Sequence, residues 1–318
     1  MASVLQWLHR SVTPTTTTAE QDSAATELNA LKQALAEFDD PDPRPRYADD
    51  NLVTRQSLRT KMIDGMVEGW GPSAHRVTPQ LRARFPDIED NGFWKIAHAA
   101  LPHTALSVQR LYSIYLAVRY IVDAQIPGDI VECGVFKGGS AVMLAGSLAH
   151  FGDTSRNLYL FDTFEGWPTP THEDTDILGQ DHRELYEADA VQASHDAPPS
   201  VYRLGDFFEK AQSAILDNSN YPRDRIVFVK GLVEKTLPHP DITTLSILRL
   251  DTDYYESTAW ELRTLWPALV GGGVLLVDDY GQFHGARKAV DEFLRDNRIP
   301  AFLHRDDVTG RSMIKIAR

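Results

Sequence analysis

The chain has 318 residues, 42% of them hydrophobic, enough to bury one large core or one core with a smaller helical layer. Lys plus Arg number 32 against 45 Asp plus Glu, a formal charge of -13, which argues against nucleic acid or an anionic membrane as main partner, since both need a basic surface. The single cysteine, Cys133, rules out an intramolecular disulfide and a cysteine-based zinc site, and no apolar run reaches the roughly 18 to 20 residues that span a bilayer.

The first segment, MASVLQWLHRSV, is too short and too polar after Leu8 for a secretory signal, so a cytoplasmic location is expected. Residues 1–50 read as a flexible or partly ordered arm: a Thr-rich tail at Ser11–Thr18, a short amphipathic helix at Ala24–Phe38, and an Asp/Pro/Arg segment without a core pattern. Residues 51–127 carry helical periodicity and few strand signals, which suits a helical cap over a substrate. Leu58, Met62 and Met66 recur at fourfold spacing before Gly69–Ser73 breaks the pattern. A stronger helix spans Thr104–Ile126 with Val108, Leu111, Tyr115, Val118 and Val122 on one face, and Pro127-Gly128 ends it.

From residue 128 to 318 strands and helices alternate. Strands are expected at Asp129–Val135, Asn157–Phe161 and Arg225–Val229, then ahead of the DTDYY and DDY segments. Helices are expected at Gly138–Phe151, Phe207–Leu216, Ser257–Trp266 and Gly285–Asn297, the third stopped by Pro267 and closed by Gly271–Gly273. A short helix falls within Gly231–Leu237. Phe302–Asp306 and Ser312–Ile316 look like a last antiparallel pair. Residues 165–197, acidic and rich in Pro and Thr, form a lid-like excursion with one short helix.

Four strand ends carry glycines or acids, the arrangement by which an open α/β sheet binds ligands at the carboxyl ends of its strands. In GDIVECGVFKGGS, Gly134, Gly138, Gly139 and Ser140 form a turn that lets backbone approach a nucleotide cofactor. The spacing is neither GxGxxG nor a Gly-Lys-Ser/Thr phosphate loop, which disfavours NAD and ATP. Asp162, ending the next strand, suits two ribose hydroxyls or a helix cap. Glu132 interrupts an apolar strand, where an unpaired carboxylate is costly. It either meets a cofactor amine or accepts backbone N–H groups.

Asp251, Asp278 and Asp279 end two further strands, and converging carboxylates repel unless a cation or proton offsets them. Oxygen ligands on rigid strand ends suit Mg²⁺. Asp253, two residues beyond Asp251, either joins the same ion or takes a proton from a substrate hydroxyl. His284 follows closely enough to position or deprotonate a hydroxyl. Phe164, Trp167, Tyr254, Tyr255 and Tyr280 are candidates for apolar walls or for plain packing.

GDIVECGVFKGGS, LFDTFEGWP, KGLVEKTLP, LRLDTDYYEST and GGGVLLVDDYGQFHGARKAVDEF together resemble the macrocin O-methyltransferase family, enzymes dependent on S-adenosylmethionine and Mg²⁺ that methylate sugar hydroxyls of macrolide or aminocoumarin antibiotics. The resemblance covers roughly Pro127 to Asn297. It implies a class I methyltransferase, Rossmann-like fold with a seven-stranded, mostly parallel sheet and helices on both faces, here with an N-terminal helical extension. It implies Glu132, Gly134 and Gly138–Ser140 around the methionine part, Asp162 at the ribose, and Asp251, Asp278 and Asp279 on Mg²⁺. It also implies a carboxylate of the DxD segment, Asp251 or Asp253, as base, a small-molecule hydroxyl acceptor, and a homodimer. Cys133 and Phe136 stand where many relatives have Thr and Trp.

Two rival readings make different predictions. Asp251-Thr-Asp253 satisfies the DxD pattern of metal-dependent glycosyltransferases, which leaves the Gly134–Ser140 turn without a role. A non-catalytic interaction module that kept the fold predicts no saturable cofactor binding.

Overall fold

The computed structural model describes residues 76–177, 179–192, 200, 202 and 204–317. The expected helix at Ala24–Phe38, the rest of the 1–50 arm, the Leu58–Met66 pattern and the end of the 165–197 excursion lie outside these residues. Among the described residues, no helix is long and apolar enough to cross a membrane.

The helical layer ahead of the sheet comprises α1 (Pro79–Ala83), α2 (Asn91–Ala100) and α3 (Val108–Asp123). Helix α3 starts later than its periodicity suggests. Ser107 caps it, its Oγ accepting from the Arg110 N–H at 3.1 Å, and Leu101–His103 forms a separate 3-10 turn around Pro102. Val108, Leu111, Tyr115 and Val118 are buried as expected, Ile114 and Ile121 join them, and Val122 is only partly covered. The Tyr115 hydroxyl donates to Asp90 Oδ2 at 2.7 Å, while Asp90 Oδ1 caps α2 by accepting from the Gly92 N–H at 2.8 Å.

The chain then runs β1 (Asp129–Cys133), α4 (Gly139–His150), β2 (Leu158–Asp162), α5 (His182–Gln192), α6 (Phe208–Asn218), β3 (Ile226–Lys230) and α7 (Val233–Thr236). It continues with β4 (Leu245–Leu250), α8 (Tyr255–Leu265), β5 (Leu269–Val277), α9 (His284–Asp296), β6 (His304–Arg305) and β7 (Arg311–Ile314). The seven strands lie in the order β3-β2-β1-β4-β5-β7-β6. The first five are parallel, and β7 runs antiparallel to both β5 and β6. The order reverses between β1 and β4, so their carboxyl ends open a crevice at a topological switch point.

Side chains alternate across the sheet. Ile130, Leu158, Leu160, Ile247 and Leu276 join the core shared with α2, α3, α4 and α6. Val131, Cys133, Phe161, Leu248, Leu250 and Leu275 join the opposite core, with Leu262 and Leu265 of α8 and Val290 and Leu294 of α9. Cys133 is fully buried, as its apolar setting implies. One expectation fails: Gly271–Gly273 do not close a helix but lie inside β5. Between the pairs Leu245–Leu269 and Ile247–Val274 the register shifts, so β5 carries the glycines as extra residues. Gly272 has φ 87° and its N–H donates to the Lys315 carbonyl at 2.7 Å, a conformation a side chain would strain.

The Tyr115 hydrogen bond, followed by the Gly92 N–H, lowers the Asp90 pKa against the opposing effect of burial. Tyr115→Phe is therefore expected to cost about 1–2 kcal/mol near neutral pH in urea unfolding. Because the folded-state pKa is depressed, the contribution is present above the ordinary carboxylate range and is lost as pH falls through the lowered value. The wild-type and variant curves should converge in acid.

Candidate active site

The crevice is floored by the turn after β1. Gly134 has φ 86°, and a Cβ there would collide with the Asp251 carbonyl oxygen, so only glycine lets the β1 turn lie against the end of β4. Gly138 has φ 93° and ends the turn, with Gly139 and Ser140 the first, buried residues of α4. Asp162, ending β2, grips this turn. Its Oδ2 accepts from the Val135 and Phe136 N–H groups at 2.7 Å each, and its Oδ1 from the Phe164 N–H at 2.6 Å. Burial raises its pKa while these three donors pull it down, the net direction being up.

Glu132 makes a different contact from the backbone N–H groups anticipated as one alternative. It is fully buried, and its Oε1 accepts from Arg249 Nη1 at 2.7 Å. The two residues are register partners on β1 and β4. Among the described residues Glu132 Oε2 is buried with no donor in full hydrogen-bonding geometry, the Ser140 side chain being a polar neighbour, and such an acceptor fits an ammonium group of a bound cofactor.

Arg249 also reaches Asp251 Oδ2 at 2.8 Å and Asp278 Oδ1 at 2.7 Å, so one buried guanidinium ties together the ends of three strands. The other oxygen of Asp278 is met by Arg110 of α3, whose Nε lies 3.1 Å from Asp307 Oδ2 in the β6–β7 turn. Asp251, Asp278 and Asp279 each bring one oxygen within 4.8 Å of the others. Asp253 stands beside them at φ 68°, its N–H donating to Asp279 Oδ2 at 3.2 Å. A left-handed non-glycine residue at a site of converging charge marks a backbone held in place by its surroundings.

The charges do not balance. Glu132, Asp251, Asp253, Asp278 and Asp279 are five carboxylates facing the two guanidinium groups of Arg110 and Arg249. Burial first, and then neighbouring carboxylates, push Asp251, Asp253 and Asp279 well above the usual carboxylate range, with Arg249 opposing this at Asp251. An all-oxygen donor set with surplus negative charge is the chemistry that suits a hard divalent cation.

Other expected residues lie elsewhere. His284 is exposed; its Nδ1 is 3.1 Å from the Thr175 hydroxyl and its N–H donates to the Thr175 carbonyl at 2.8 Å, so it docks the excursion that follows β2. Tyr255 and Tyr280 turn to α9, donating to Glu292 and Asp291 at 2.8 and 2.7 Å. Phe164 is core. Trp167 and Tyr254 pack together: Trp167 lies edge-on against Tyr202, Tyr254 and Phe283 with ring centroids 5.8–5.9 Å apart.

The excursion is anchored at its root. Asp174, fully buried, accepts from the Tyr255 N–H at the start of α8 and from the Thr171 N–H, both at 2.7 Å, and Asp176 bridges to Phe283. A cavity of about 430 Å³ lies between this segment and the start of α8, lined in part by Thr171, Glu173, Arg183, Tyr186 and Tyr255.

With this geometry in place, comparison with known proteins is decisive. The sequence pattern of the family described as Macrocin-O-methyltransferase (TylF) matches residues 94–314, more than two thirds of the chain. The chain belongs to this family. Similar curated relatives include the 8-demethyl-8-(2,3-dimethoxy-alpha-L-rhamnosyl)-tetracenomycin-C 4'-O-methyltransferase of Streptomyces olivaceus, 33% identical over 61% of this chain and 68% of that one. The demethyldecarbamoylnovobiocin O-methyltransferase of Streptomyces niveus is 32% identical over 60% and 67%. Among solved structures, the O-methyltransferase NovP superposes with a TM-score of 0.58 at 25% identity, covering 84% of this chain and all of that one. As a macrocin O-methyltransferase family member with the class I sheet, the protein is an S-adenosylmethionine-dependent O-methyltransferase.

Arg249, Arg110 and Asp307 are absent from the residues singled out by sequence. Only Arg249 left a trace: it interrupts LSILRL as Glu132 interrupts DIVEC. Arg249→Met strands three carboxylates and is expected to cost about 3–5 kcal/mol in denaturant unfolding. Glu132→Leu combined with Arg249→Met should recover part of that loss, since the worst-buried acid is then gone.

Proposed function

We propose that this enzyme uses Mg²⁺ and methylates a sugar hydroxyl of a small glycosylated natural product. The observation that carries the reading is the convergence of Asp251, Asp278 and Asp279 to within 4.8 Å, against the glycine turn of a methyltransferase sheet. The name of the tetracenomycin relative, with its rhamnosyl group, supports a glycosylated acceptor.

In this reading Glu132 Oε2 receives the cofactor ammonium, and Gly134 and Gly138–Ser140 admit its methionine portion against the backbone. Asp162 uses its remaining lone pairs on the ribose while it keeps the turn closed. Asp251, Asp278 and Asp279 hold the cation. When bound, the cofactor would supply a sulfonium methyl open to nucleophilic attack, and the cation would supply positive charge that makes a nearby hydroxyl more acidic.

The chain's own task is to orient the acceptor and take its proton. Arg249 fixes the direction of Asp251 and Asp278 through bonds of 2.8 and 2.7 Å. Asp253 has no guanidinium partner among the described residues, and burial together with Asp251 and Asp278 raises its proton affinity, which suits a general base. Trp167 and Tyr254 form an apolar wall beside it, which keeps water from the reacting atoms. A glycosyltransferase would need Asp251-Thr-Asp253 for a nucleotide sugar and would leave Glu132 Oε2 and the glycine turn without a ligand.

The test is methyl transfer to a panel of glycosides bearing vicinal hydroxyls, with Mg²⁺ and with EDTA, alongside calorimetry with S-adenosylhomocysteine and with UDP. Tight binding of the first, indifference to the second and EDTA-sensitive transfer are expected; metal-independent transfer would overturn the cation's role. Asp253→Asn should lower kcat about 10²- to 10⁴-fold while S-adenosylhomocysteine affinity holds. Asp278→Ala should abolish stimulation by Mg²⁺.

A further inference from the structure

On the sheet face opposite Arg249, α8 presents a polar stripe to the end of β4. Ser257, Thr258 and Glu261 are 3%, 2% and 0% exposed, on a helix whose neighbouring Leu262 and Leu265 belong to the core. Glu261 Oε2 accepts from the Thr252 hydroxyl at 3.2 Å; the buried Oε1 meets no N–H or O–H donor among the described residues, and the carboxyl's other polar neighbour is the Cys133 thiol. Ser257 Oγ donates to the Thr252 and Tyr254 carbonyls at 3.3 and 3.1 Å. A carboxyl in such a place is costly, and helix packing alone would be served better by an apolar residue.

Thr252 is the residue between the two acids of the DxD segment. Continuing the alternation of β4, Asp251 falls on the Arg249 face and Thr252 on the Leu250 face, toward α8. The turn that follows is tight: the Tyr254 N–H returns to the Thr252 carbonyl at 2.8 Å, and Asp253 between them is left-handed at φ 68°. Asp253 also gives its N–H to Asp279. Thr252 is thus gripped from one side of the sheet while its neighbours act on the other. Burial raises the Glu261 pKa well above the carboxylate range, with the Thr252 bond opposing, consistent with a neutral side chain in the apolar layer beside Cys133.

We propose that Glu261 is a positioning residue: through Thr252 it holds the Asp251–Asp253 turn, and so sets the direction of both carboxylates from the far face of the sheet. The inference rests on the reading that this turn carries the proton transfer and the cation.

Four variants test it: Glu261→Leu, Glu261→Gln, Thr252→Val and the double Glu261→Leu/Thr252→Val. Glu261→Leu and Thr252→Val are each expected to lower kcat on the order of 10- to 100-fold, the scale of a small misplacement of catalytic groups, with acceptor KM and S-adenosylhomocysteine affinity held. The double variant should be no slower than either single one, because both act through one bond. Glu261→Gln, which retains an acceptor for the Thr252 hydroxyl, should restore most of the rate. Amide exchange of residues 252–254 should quicken in the Leu and Val variants and return toward wild type in the Gln variant. A lower Tm for Glu261→Leu with kcat and exchange unchanged would overturn the proposal, as would Gln behaving like Leu. If Glu261→Leu does not fold, Thr252→Val and Glu261→Gln decide the matter. If the wild-type enzyme transfers no methyl group to any acceptor, the proposed function fails, while the exchange data still judge the role of Glu261.

Discussion

One buried guanidinium sets the terms for the rest of this protein. Arg249 sits within the parallel sheet at 1% exposure and pairs with Glu132 from β1, Asp251 at the end of β4 and Asp278 at the end of β5. Removing such a group from water is expensive, and only excellent hydrogen-bond geometry offsets the cost. That geometry requires the three strands to keep their mutual register, so the cross-strand pairing of Glu132 with Arg249 is also a constraint on where the acids end up. The compensation is incomplete, since five carboxylates face two guanidinium groups, and the remaining negative potential is the setting in which the proposed cation and a positively charged cofactor would be held.

The two faces of the sheet have separate work. On one, Arg110 carries the influence of the N-terminal helices to Asp278 and to Asp307 in the last hairpin, where Ser107 Oγ also donates at 2.6 Å. The helix ahead of the domain is therefore wired into the charged centre and is more than a cover. On the other face, α8 and α9 pack Leu and Val against β4 and β5 and bring polar groups only where the chain turns.

Much of this was readable in the residues. Strand ends with glycines or acids located the crevice, because glycine and carboxylate have no cheap place in apolar strands unless something is to be approached or bound. The convergence of Asp251, Asp278 and Asp279 followed from two strands ending alike. What stayed hidden depended on partners distant in sequence. Arg110 lies 168 positions from Asp278, and nothing near it announces an ion pair. Asp174 reads as a turn former, yet its partner is the Tyr255 N–H, 81 positions away. Gly271–Gly273 read as punctuation because an irregularity inside a strand and a loop before it share one composition; only the register of β4 against β5 tells them apart. His284 looked close to the acids by chain distance, but helix α9 begins with it turned toward Thr175.

The staple made by Asp174 has an evolutionary corollary. Gly285 leaves the room it needs, since a methyl group there would strike its Oδ1, and the Thr171 N–H and the amide of Tyr255 hold the same carboxylate from two directions. The stem of the excursion is thereby welded to the helix that starts right after the acidic turn. Changes along residues 183–192 leave both of those bonds in place, in the way a tool accepts a different bit once its chuck is tight.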